Sequence, residues 1–105
     1  MPSIGRRSGD EPVDPNVQLT TFQCRLERVY RCDPTSAGFD AHLPTASGVG
    51  GKDVLLYAEH DGGNDITIVP SGIETIAGQP NLVLTARQAV ILTSNGVSDW
   101  MKFGV

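Results

Sequence analysis

The chain has no run of about 18 apolar residues, the length at which a helix crosses a bilayer. Its opening, Met1-Pro2-Ser3-Ile4-Gly5-Arg6-Arg7, leads into no apolar segment, so a secretory signal of ordinary form is missing too. These absences point to a product of the cytoplasm with no membrane partner. Positive charge is scarce: 8 Lys and Arg stand against 12 Asp and Glu, for a net charge of −4. Phosphate binding works by releasing counterions to a cationic surface, so no nucleic acid is expected as a partner. Cysteine is limited to Cys24 and Cys32, whose spacing fits neither a metal site nor a redox pair. In a reducing compartment the two stay thiols, although a β hairpin can bring such a pair to bonding distance.

Catalytic patterns are missing as well. His42 and His60 stand in separate segments, outside any spacing that puts two imidazoles on one metal, and no Gly-x-Ser-x-Gly elbow occurs. The Gly-Lys pair in Ala46-Ser47-Gly48-Val49-Gly50-Gly51-Lys52-Asp53 invites a phosphate-loop reading. It lacks the leading Gly and the Ser or Thr after Lys, and Val54-Leu55-Leu56-Tyr57 predicts a strand where a helix is required. Asp61, Asn64 and Asp65 offer oxygens to a calcium ion, but in a Gly-rich stretch they describe a turn first. The chain is therefore expected to be no enzyme and to need no cofactor or metal.

What is present is punctuation and short apolar runs. With 105 residues there is room for one core, and 12 Gly and 7 Pro interrupt the chain too often for long helices. Residues 1–16 hold Pro2, Pro12 and Pro15, Arg6 and Arg7, then Asp10, Glu11 and Asp14, with little to bury. They are expected to form an extended N-terminal arm, a composition that a disordered tail shares, and residues 17–105 a β domain. Strand-like runs fall at 17–24, 27–32, 39–42, 53–59, 65–69, 74–76, 81–85, 89–94 and 100–103, separated by turn residues.

Side chains of a strand alternate between two faces, so Ile66 and Ile68 point one way while Thr67 and Val69 point the other. Leu82-Val83-Leu84 and Val90-Ile91-Leu92 are apolar on both faces. A lone small sheet leaves one such face wet, and self-association covers it. Ile66, Ile68, Leu82, Leu84, Val90 and Leu92 are thus expected in the core and in contacts between subunits. Trp100 belongs either to a sugar or partner platform or, as its large burial area favours, to the same plug.

The run Asn64-Asp65-Ile66-Thr67-Ile68-Val69-Pro70-Ser71-Gly72-Ile73-Glu74-Thr75-Ile76-Ala77-Gly78 resembles a recurring stretch of phage virion modules of the head-fibre, capsid-decoration and tail-fibre type. Leu82-Val83-Leu84, then Val90 to Gly96, then Trp100 continue the order of elements in those modules. Leu43-Pro44, Gly48 to Gly51 and Val54 to Tyr57 occupy the upstream places. Ser98-Asp99 stand before Trp100 in place of a shorter polar link, and the two cysteines lie outside the pattern. The resemblance implies an all-β homotrimer with a barrel or prism-like arrangement and no active site. It implies a capsid decoration or cement protein, made in the host cytoplasm and placed on the outer capsid surface of the virion. The partner is then the major capsid protein, reached through Arg6, Arg7, Val13, Val17 and Leu19, with backbone pairing by residues 17–21 counting for more than the exposed charges. The alternatives are a head-fibre base, carrying a fibre or spike tip protein, and a tail-fibre receptor-binding module.

Overall fold

β-branched and aromatic residues alternate along the chain between clusters of Gly, Pro, Asn and Asp, a pattern that suits pleated backbone and breaks helix. The structure, a computed structural model, describes residues 17–60 and 63–105. Its strands are β1 (Val17–Gln18), β2 (Phe22–Gln23), β3 (Arg28–Cys32), β4 (Phe39–His42), β5 (Asp53–Ala58), β6 (Ile66–Val69), β7 (Thr75–Ile76), β8 (Leu82–Leu84), β9 (Ala89–Ser94) and β10 (Asp99–Gly104). No helix occurs among the described residues, and the domain is all-β.

The strands form a six-stranded sheet, β1-β3-β5-β9-β10-β7, and a four-stranded sheet, β2-β4-β6-β8. From β1 to β6 the chain alternates between the sheets, and each strand from β1 to β4 pairs in parallel with the strand two places on. The backbone therefore winds as flat stacked coils. Val17, Arg31 and Tyr57 lie side by side in one sheet, and Phe22, Ala41 and Ile68 in the other. Antiparallel strands then end the winding: β8 on β6, β9 on β5 and β10 on β9, with β7 as a parallel edge beside β10.

Alternation turns Val54, Leu56, Val90 and Leu92 inward from the larger sheet and Ala41, Ile66, Ile68 and Leu84 inward from the smaller one. They meet in a single core with Trp100, the largest fully buried side chain, and with Cys24 and Cys32, which are free thiols. Removing each large aliphatic side chain from water contributes about 1.5–3 kcal/mol before the entropy of ordering is charged. Tyr30 closes one end: its ring packs on Phe22 at 5.0 Å, and its hydroxyl accepts the Arg25 N–H at 2.7 Å.

The expected single strand over residues 17–24 is in fact two. The chain bends at Thr20 and passes from one sheet to the other, so Val17 and Phe22 lie in different sheets. A continuous strand would keep both residues in one sheet and remove the crossing that starts the coil. The remaining expected strands agree with the observed ones to within a residue or two. The Gly-Lys segment leads into β5, a strand, and its backbone is knit to the β9–β10 hairpin by Gly48 N–H to the Gly96 carbonyl and Gly51 N–H to the Ser94 carbonyl. Its amides are thus engaged by the fold itself.

Candidate interface on the six-stranded sheet

The strand positions turned away from the core decide what each sheet shows to its surroundings. On the smaller sheet these are mostly polar: Gln23 beside His42, and Asp40 beside Thr67, with Val69 and Val83 as the apolar members. The larger sheet does the opposite. Val29 of β3 pairs with Leu55 of β5, Leu55 with Ile91 of β9, and Ile91 with Phe103 of β10. An apolar row thus crosses four strands in register. Val29 is 53% exposed, Ile91 40% and Phe103 54%, and the described residues leave the row uncovered. A shallow depression of about 290 Å³ lies between Arg28, Asp53 and Leu55, and another of about 330 Å³ between Leu55, Ala89 and Phe103.

Charged groups of both signs border the row. On one side stand Glu27 and Asp53, whose Oδ1 accepts the Thr93 hydroxyl at 2.7 Å. On the other, Arg31 donates two hydrogen bonds of 2.7 Å to the carboxylate of Glu59, and Arg87 reaches the Tyr57 hydroxyl at 3.4 Å. The Arg31 hydrogen bond holds the Glu59 carboxyl below the ordinary glutamate range. These pairs orient the rim side chains but, being exposed, add little stability. Among the described residues no group of three His, Cys, Asp or Glu is placed to hold a metal ion. The apolar row is the part of this surface that gains free energy on removal from water.

No family model matches the chain, and no curated protein is significantly similar to it.

The residues expected from sequence are distributed unevenly. Ile66, Ile68, Leu84, Val90, Leu92 and Trp100 are buried within the one chain, and Leu82 is half-buried against their cluster. Val17 is half-buried on the edge strand β1 and Leu19 is exposed just after it. Arg6, Arg7 and Val13 lie outside the described residues, as does Asp61. Asn64 serves its turn: its Nδ2 donates to the carbonyls of Pro34 and Thr35. The row of Val29, Leu55, Ile91 and Phe103 was not assembled by sequence reasoning. Its signal was the outward parity of Val90-Ile91-Leu92, but knowing which strands are neighbours requires the fold.

Proposed function

We propose that this protein is a non-catalytic virion component, a capsid decoration or cement protein that sits as homotrimers on the outer surface of a phage shell. The observation that carries this reading is the apolar row of the larger sheet, which the described residues leave uncovered and which suits protein contact. The likeness of residues 64–78 to phage virion modules supplies the setting. Cement acts by mass action: a protein that binds the expanded shell, and not its unexpanded form, stabilises the expanded state by the free energy of that binding. Three linked copies raise this through effective concentration, so modest contacts per chain suffice.

Shells stripped of the protein and incubated with it provide the test. The expected result is saturable co-sedimentation in multiples of three chains, with a higher melting temperature for the decorated shell and density for the domain on its outer surface in an electron microscopy reconstruction. Absence of binding to any shell form, together with binding to a host-cell receptor, would instead place the protein at a fibre tip.

A further inference from the structure

We infer that the outer face of the six-stranded sheet is the surface by which one copy of this chain meets another, with the row Val29, Leu55, Ile91 and Phe103 at the centre of that contact. The inference deepens the proposed function, since it rests on self-association, and it assigns the residues that make the association. Three observations lead to a second copy as the occupant.

The first is the contrast between the two outer faces. Both sheets enclose the same core, yet the smaller presents Gln23, Asp40, His42 and Thr67 outward, with Val69 and Val83 among them, while the larger presents an unbroken apolar row across β3, β5, β9 and β10. A face that water is to keep has no need of that row.

The second is charge. The chain carries −4 net, so copies of it repel one another in general. The border of the row does not share this bias: Arg28, Arg31 and Arg87 stand there with Glu27, Asp53 and Glu59. Three cations match three carboxylates, and the acidic chain is locally neutral where the apolar surface lies. An acidic or basic partner would call for a border of one sign.

The third is shape and size. Paired strands about 4.8 Å apart with a rise of about 3.3 Å per residue make these four strands a face of roughly 20 Å by 20 Å. Its plane of about 400 Å² is half of the roughly 800 Å² that each partner gives to a standard two-body contact, so the face suits several small contacts closed by symmetry better than one large one. Around a threefold axis three such faces form the walls of a prism, in which the Val29 and Leu55 half of one row meets the Ile91 and Phe103 half of the next.

Sedimentation velocity of the full chain, alone and mixed with stripped shells, tests this with three variants. Leu55→Lys/Ile91→Lys charges the middle of the row, Phe103→Lys charges its end, and Val83→Lys places the same charge on the outer face of the smaller sheet. The double variant is expected to sediment as a monomer at concentrations at least a hundredfold above the parent dissociation constant, with an unchanged strand spectrum by circular dichroism. Phe103→Lys should fall between, and Val83→Lys should behave as the parent. If the double variant keeps the parent mass and also the parent binding to shells, the face is not an interface. If it keeps the parent mass but no longer binds shells, the face belongs to the shell protein and this inference fails while the decoration reading stands. A monomeric parent that still decorates shells overturns the inference and the trimer together, leaving the decoration role.

Should the double variant not fold, an equimolar mixture of Leu55→Cys chains with Ile91→Cys chains replaces it, with Val83→Cys as the control and a short bis-maleimide as the probe. Cys24 and Cys32 are buried and do not compete. Cross-links between Leu55→Cys and Ile91→Cys chains, and none in Val83→Cys, support the contact, and the reverse pattern refutes it.

Discussion

Cys24 and Cys32 sit in the core as free thiols, and burial pushes both up to about 12 from their ordinary value of 9.0, with the charge on Cys32 adding to the rise at Cys24. An acid whose folded-state value lies above its unfolded one favours folding fully at pH below 9, where both states hold the proton. That advantage is lost as pH rises from 9 towards 12, because only the unfolded chain ionises easily there. Each thiol then takes away about 1.4 kcal/mol per pH unit, so the pair lowers stability by about 3 kcal/mol at pH 10. Urea unfolding under reducing conditions at pH 8 and pH 10 should show this fall in the parent and a much smaller one in Cys24→Ala/Cys32→Ala. Equal slopes in the two proteins would show that the thiols ionise without unfolding. Trp100 illustrates how far a single residue can be read from sequence. Its size argued for a plug, and it is fully buried, yet its indole N–H has no hydrogen-bond partner there, so its volume is what holds the position. Whether a plug serves one chain or several is invisible in the residue itself, because the same side chain fills either site.

Strand positions were legible because period-two alternation and turn residues are local signals, and β3, β4, β5, β6 and β9 fall where those signals put them. Strand partners were not. β1, β3 and β5 pair in parallel although other strands intervene in sequence, and no pattern within a strand names its neighbour two places on. The break at Thr20 escaped for the same reason: Val17 to Cys24 has continuous strand propensity, and the demand for a crossing comes from the coil as a whole. The β9–β10 hairpin shows how local chemistry absorbs a departure from the expected pattern. The extra Ser98-Asp99 link is held by Asn95, whose Oδ1 accepts the N–H groups of Val97, Ser98 and Asp99. Gly96 follows Asn95 at φ 84°, and a Cβ there would stand 3.3 Å from the Gly50 Cα. Both strain and crowding therefore oppose a side chain, and Gly96→Ala is expected to cost about 1–3 kcal/mol. A thermal melt should show the loss, whereas Gly63→Ala, with open space at its Cβ, should melt near the parent. An unchanged melting temperature for Gly96→Ala would mean that the 46–52 loop moves aside without cost.

At the scale of the whole molecule, the described residues from Val17 onward form two sheets around one core. Residues 1–16 combine Arg6 and Arg7 with Pro2, Pro12 and Pro15, and after Met1 only Ile4 and Val13 are sizeable apolar side chains. A Pro-rich segment loses less entropy than ordinary chain when it is laid along another protein, and copies joined through one assembly bind with the advantage of linked sites. On the decoration reading, a larger sheet occupied by contacts between copies leaves the shell contact to another part of the chain, and residues 1–16 precede β1, an edge strand of two residues beside the exposed Leu19. Deletion of residues 1–16 is therefore predicted to leave the domain folded and self-associated while weakening its binding to shells at least tenfold, or about 1.4 kcal/mol. Co-sedimentation of the truncated and full-length chains with stripped shells across a concentration series reads the difference, with sedimentation velocity run alongside to report the assembly state. Undiminished shell binding by the truncated chain would assign the anchoring to the domain itself. Loss of self-association on truncation would make the segment part of the contact between copies, and the larger sheet would then have to share that role.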